Sequence, residues 1–195
     1  CNLCLTDDQW IQASLPVWSG GLGVRSVFKL ASSAFLASAA GTLTLQAQIL
    51  RSTLAADEDT CTSLSHWFSL SGLFAGDCLP IGNPRVLDSA VVTHTFSSLL
   101  NSQTSQYNRA RLLAVAAAHS GDWLHAVPIS ACGLRLSDES LRVAVGLRLG
   151  SEICQPFHCT CGALVDARGY HALSCKRNPG RSQRHHFIND LIWRA

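Results

Sequence analysis

Along most of the chain apolar residues recur at intervals of three and four, the period of a helix with one face turned inward. Val27, Leu30, Ala31, Ala34 and Phe35 share one such face on a helix predicted to end near Gly41, and a further helix is predicted over 43–54. Asp57, Glu58 and Asp59 then mark a loop or a helix start. Leu64, Trp67, Phe68 and Leu70 form a short apolar element before the Gly/Pro-rich stretch 72–84, read as the main loop. The helical period returns from Asp88 through Val91, Val92, Thr95, Phe96, Leu99 and Leu100. A polar run over 101–106 separates it from a helix predicted over 105–119, running through Leu112, Leu113, Val115 and Ala116, with Gly121 placed to end it in a left-handed cap. Ser137 can cap a later helix, with Asp138 and Glu139 in its first turn, Leu141, Val145, Leu147 and Leu149 along it, and Gly150 after it. Over 184–195 the residues Phe187, Ile188, Leu191 and Ile192 again follow helical spacing. Gly20, Gly21 and Gly23 are read as a flexible turn. Sustained two-residue alternation is missing, so the fold class is mainly α: a helical bundle with long connections.

The longest stretch without a formal charge, Leu30 to Leu50, has about the length of a membrane span. Ser32, Ser33, Ser38, Thr42, Thr44, Gln46 and Gln48 interrupt it, and Gly41 divides it into two amphipathic pieces, so no membrane partner is expected. A hydrophobic fraction of 47% fits a globular core rather than a disordered chain. The net charge of +2 hides an asymmetry: residues 1–150 carry nine Lys and Arg against ten Asp and Glu, whereas residues 151–195 carry six against three. The last quarter is therefore the part that seeks an anion. The chain has no Met and opens on Cys1, and the last predicted helix stops in mid-pattern, so an excerpt or processed piece is expected.

Nine cysteines are an odd count for a disulfide scaffold, and no secretory signal pattern leads the chain, which makes a reducing compartment the expected setting. Cys1, Cys4, Cys61, Cys78 and Cys132 are scattered and carry no assigned chemistry. The segment from Cys159 to Cys175 is different, because Cys159, Cys161, His171 and Cys175 place three thiols and one imidazole within 17 residues. So short a loop lacks the apolar surface to fold alone, and such a donor set can close a tetrahedral shell around a structural zinc with no open position for water. A single residue between Cys159 and Cys161 is tight for paired ligands, so Cys154 or His158 is an alternative ligand. Gly162 and Gly169 supply permissive backbone beside the ligands. Lys176, Arg177, Arg181 and Arg184 follow at once, a basic strip suited to phosphate contacts without base readout, and Phe157, Tyr170 and Trp193 are the few aromatics near it that can stack on bases.

The stretches 5–23 (LTDDQWIQASLPVWSGGLG), 24–40 (VRSVFKLASSAFLASAA), 123–149 (WLHAVPISACGLRLSDESLRVAVGLRL) and 159–175 together resemble the C-terminal part of non-LTR retrotransposon polyproteins of the type carrying a restriction-like endonuclease. The resemblance implies a helical thumb and linker over 1–150, a Cys-Cys-His-Cys knuckle over 151–180, and the start of a truncated following domain over 181–195. It implies contact with DNA or RNA and with the remaining domains of a parent polyprotein, during target-primed reverse transcription in the nucleus. It implies no small-molecule substrate and no catalysis in this segment. The family's polymerase uses a Tyr/Phe-x-Asp-Asp motif to hold two metals, whereas Asp7-Asp8 is the only Asp-Asp pair here and follows Leu5-Thr6. No Pro-Asp of the nuclease type occurs either. His66 beside Trp67, and His119 with Asp122 and His125, can be drawn as general bases but lack a Gly-x-Ser-x-Gly nucleophile turn, and Gly20–Gly23 lacks the Lys and Ser/Thr of a phosphate loop. The alternatives are a domesticated helical scaffold for protein interaction with zinc as a staple, and a relic fragment without activity.

Overall fold

The computed structural model describes residues 4–51, 58–74, 83–178 and 180–194, without the side chains of Cys132, Arg181, Arg184, Leu191 and Arg194. Cys1, Asp57, Cys78 and most of the predicted 72–84 loop therefore lie outside the described residues. The molecule is mainly helical and divides into two compact units, Thr6–Ala126 and a second containing Val127–Ala195.

The first unit opens with helix α1, Asp7–Ser14. The Thr6 hydroxyl accepts from the Gln9 backbone N–H at 3.4 Å while the Thr6 N–H donates to Gln9 Oε1 at 2.9 Å, a reciprocal cap that satisfies two otherwise orphaned donors. Asp7 and Asp8 occupy the first turn, where their charge favours the positive end of the helix. The chain then turns back through Gly20–Gly23, where the Gly20 N–H donates to the Val17 carbonyl at 3.1 Å and the Gly21 N–H to the Pro16 carbonyl at 3.0 Å. A side-chain carbon on Gly21 would lie 1.9 Å from the Leu15 carbonyl oxygen, so only glycine fits there. Buried Gln12 donates to the Gly20 carbonyl at 3.0 Å and accepts from Arg111 Nη1 at 2.8 Å, tying the turn to a later helix.

Helix α2, Val27–Leu50, is a single rod of 24 residues, where two pieces split at Gly41 were expected. Glycine inside a helix costs only about 1 kcal/mol relative to alanine, and the surrounding Ala39, Ala40 and Leu43 are strong helix formers. Its first half buries Ser32, Ser33 and Ala37, while Leu43, Leu45, Ile49 and Leu50 in the second half are exposed. The helix is long and apolar enough to cross a membrane, with mean hydropathy 1.2 over a window of which 17% is buried.

Helices α3 (Glu58–Ser71) and α4 (Pro84–Ser102) pack against α2 and against each other, and α1 packs on α4. Helix α4 begins four residues before Asp88 because Asn83 caps the Arg85 N–H at 3.0 Å and Pro84 takes the first helical position. Helix α5, Gln106–Val115, ends earlier than expected. His119, at φ 66°, takes the left-handed conformation expected of Gly121, whose own φ is −107°. The core is in two parts. Leu15, Val92, Leu99 and Leu112 form one cluster; Ala37, Trp67, Leu87 and Val91 form the other. Trp67 is fully buried, and its indole N–H donates to the Leu87 carbonyl at 3.1 Å, so the ring carries no orphaned donor.

In the second unit α6, Asp138–Leu149, starts under a Ser137 hydroxyl that accepts from the Ser140 N–H at 3.1 Å and ends at Gly150. Two short antiparallel strands follow, β1 (Phe157–His158) and β2 (Leu164–Val165), with Phe157 opposite Val165 and His158 opposite Leu164. Helix α7 is one turn, His171–Ser174, and α8 spans Gly180–Arg194. In place of a large core, the described part of this unit has a few buried side chains, those of Arg148, Leu149, Ser151, Val165 and Cys175.

Candidate metal centre

The hairpin β1–β2 and the single turn of α7 bring the four sequence-predicted ligands together. Cys159 and Cys161 stand at the hairpin tip, where the Cys159 N–H donates to the Ala163 carbonyl at 2.9 Å and the Gly162 N–H to the Cys159 carbonyl at 2.8 Å. Gly162 closes this turn at φ 89°, a conformation that side-chain-bearing residues rarely adopt. One intervening residue is therefore enough, because the reversal at Gly162 swings the second sulfur back toward the first. Across from the tip, the Cys175 N–H donates to the His171 carbonyl at 2.9 Å, which stacks these two side chains one helical turn apart.

The donor atoms of Cys159, Cys161, His171 and Cys175 all lie within 4.8 Å of one another, so one metal ion can touch all four. Cys159 Sγ is 3.6 Å from Cys175 Sγ, and Cys161 Sγ is 3.2 Å from His171 Nε2. The alternative ligands stand apart from this group. Cys154 is turned to the backbone, its Sγ within 3.4 Å of the Asp166 carbonyl and 3.5 Å of the Ala167 carbonyl. His158 sits in β1, exposed.

The thiols titrate differently. The Cys161 backbone N–H, helped by hydrogen bonds from His171, Cys161 and Cys175, lowers the Cys159 pKa to about 6 against the opposing effect of burial. For Cys175 the Arg177 backbone N–H favours the thiolate, but burial and the neighbouring Cys159 and Cys161 sulfurs outweigh it and push the thiol up. Thiols this close resist ionising together, so what favours one thiolate disfavours its neighbour.

The predicted basic strip divides. Lys176 and Arg177 are exposed, but Arg177 Nη1 donates to the Thr160 carbonyl at 2.8 Å and so clamps the hairpin tip between the two cysteines. Residues 181 and 184 lie on α8, with their side chains outside the described part. Of the aromatics, Phe157 and Trp193 are 50% and 92% exposed, whereas the Tyr170 hydroxyl is buried.

Elsewhere, His119 Nδ1 is 2.9 Å from Asp122 Oδ2 on an exposed turn, without a nearby nucleophile in that contact. His66 Nδ1 is hydrogen-bonded to the Ser32 hydroxyl at 2.7 Å, a pair that residue spacing gave no means of finding. Ser32 is buried and the far nitrogen of His66 has no partner, so the pair ties α2 to α3 without the third group that orients a catalytic base. No protein-family model matches the chain, and comparisons with curated proteins and with solved structures find no match.

Proposed function

We propose that this chain is a nucleic-acid-handling segment of a non-LTR retrotransposon reverse transcriptase, non-catalytic in itself, in which a structural zinc holds the 159–175 knuckle. The gathered Cys159, Cys161, His171 and Cys175 carry the reading. Zinc suits the donor set, since it favours three thiolates and an imidazole in a closed tetrahedron. With Zn–S near 2.3 Å and Zn–N near 2.0 Å, tetrahedral ligands stand about 3.8 Å (S···S) and about 3.5 Å (S···N) apart. The 3.6 Å and 3.2 Å separations come within a few tenths of an ångström of this. Four protein ligands exclude a metal-bound water, so zinc here would stabilise the loop and present Lys176 and its basic neighbours to phosphates.

The resemblance over 5–40, 123–149 and 159–175 supplies the rest: the helical unit would hold template and primer, and the knuckle would hold target DNA or element RNA in the nucleus. The test is binding of short DNA and RNA duplexes by the zinc-loaded chain across a salt series. Affinity should fall steeply with salt, and replacing Lys176, Arg177, Arg181 and Arg184 by Gln should weaken binding and flatten the slope by up to about one phosphate contact per cation. Unchanged affinity in that variant overturns the role. A second reading, a protein-interaction scaffold, is favoured by the exposure of Val27, Phe74, Tyr107 and Trp193, each 79% exposed or more. Absence of duplex binding at low salt selects it.

A further inference from the structure

A cavity of about 370 Å³ opens among α1, α2, α3 and α4 of the first unit. Its apolar wall is Ile11, Leu70 and Leu99, and its polar rim includes Lys29 and the hydroxyls of Thr95 and Ser98, while the Ser69 and Ser102 hydroxyls on the rim donate to the His66 and Leu99 carbonyls at 2.7 and 2.9 Å. The volume is that of a small-molecule site, and the mix of apolar wall with a few polar groups is what such sites use to hold and orient a ligand.

Lys29 is the unusual member. It is half-buried, and its only hydrogen bond among the described residues is a long one, 3.4 Å, to the Thr95 hydroxyl. The ion pairs of the described residues leave it out: the nearby Arg25 guanidinium is held by Asp88, so it adds positive charge beside Lys29 without supplying a counter-ion. Asp8 also lines the cavity, but it stands at the exposed edge, where Oδ2 accepts from Gln103 Nε2 at 2.8 Å. Burial and the Arg25 charge lower the Lys29 pKa, and the attraction of an anion beside the ammonium opposes that shift. Lys29 further sits in the first turn of α2, which has no acidic residue to balance the positive helix end. His94 Nδ1–H donates to the Leu70 carbonyl at 2.9 Å and so forms part of the wall.

We propose that this cavity binds a small organic anion, a carboxylate or phosphate monoester carried on an apolar body, with the anionic group on Lys29 and the Thr95 and Ser98 hydroxyls and the body against Ile11, Leu70 and Leu99. The site is independent of the nucleic-acid reading and adds a ligand where no small molecule was expected from sequence.

The experiment is a titration of the full zinc-loaded chain, followed by amide NMR shifts, with phenyl phosphate, phenylacetate, inorganic phosphate and benzyl alcohol as separate probes. The first two should shift Ser69, Thr95, Ser98 and Ser102 with saturation, their order showing which anionic group is preferred. Inorganic phosphate and benzyl alcohol should bind at least about tenfold more weakly, each lacking half of the recognition. Lys29→Gln should weaken the preferred probe by about tenfold or more, the usual worth of a charge-assisted hydrogen bond, while Lys29→Arg keeps it. Ser98→Leu, on an exposed rim position, should block the probe while leaving Lys29 in place. Shifts that do not saturate, or that survive both Lys29→Gln and Ser98→Leu, overturn the proposal.

Discussion

The two units of this molecule solve the same problem by opposite means. The first, Thr6–Ala126, buries two apolar clusters around Trp67 and Leu112 and holds its turns with buried polar ties such as Gln12 to Gly20. The second has few buried side chains in its described part, yet it brings four metal-ligating side chains to one point. Hydrophobic burial scales with the surface removed from water, so a hairpin and a one-turn helix gain little from it and depend on a cross-link. The consequence is that each unit should fail to a different insult.

The largest expected effect comes from the metal. Structural zinc contributes on the order of 10 kcal/mol to a small site, so chelation, or Cys175→Ser, should abolish amide dispersion over 151–178 while Trp67 and Leu112 keep their signals. Loss of signals throughout both units would show that the comparison is wrong. Acidification should act in the same way. Because Cys159 is lowered to about 6 when folded, its thiolate favours the folded knuckle fully above the ordinary thiol range, and that contribution is lost as pH falls through about 6. Metal content measured after dialysis should therefore fall with acidification, because releasing the ion requires its thiolate ligands to take up protons.

Next in size is Trp67→Ala, which empties the centre of one bundle cluster and should cost about 3–5 kcal/mol in a denaturant titration, without changing metal content. Smaller is Gln12→Leu, which strips the Gly20 carbonyl and Arg111 of a buried partner and should cost about 1–3 kcal/mol. Smallest is Gly41→Ala. Nothing lies within 4 Å of the added carbon, so the single α2 rod should gain up to about 1 kcal/mol, whereas a functional break at Gly41 would make the change destabilising.

Many of the helices were legible because periodicity and caps are local. Ser137, Asp138, Glu139 and Gly150 delimit α6 by residues within it or beside it, and Val91 to Leu100 repeat on one face of α4. The structure departs from the expectation where neighbouring helix formers outweigh one residue or where distant contacts act. Gly41 reads as a breaker in isolation, but the rod continues because its neighbours favour helix; Gly20–Gly23 read as flexible, but Gln12 and Arg111 fasten the turn from eight and 91 residues away. The cluster of Cys159, Cys161, His171 and Cys175 was legible because its residue types are few and closely spaced. The choice between Cys159 and Cys154 was not, since it depends on the Gly162 reversal and on the carbonyls of Asp166 and Ala167 that face Cys154. The Ser32–His66 tie and the Lys29 cavity join helices that are far apart in the chain, and no spacing rule reaches them.

The most direct measurement is the metal stoichiometry of the purified chain, alone and with His171→Ala. One zinc per chain, lost or severely weakened in the variant while the helical signal of Thr6–Ala126 persists, is the expected result. A chain that refolds its 159–175 segment with no bound metal, or that keeps zinc equally well without His171, would contradict a metal-built knuckle.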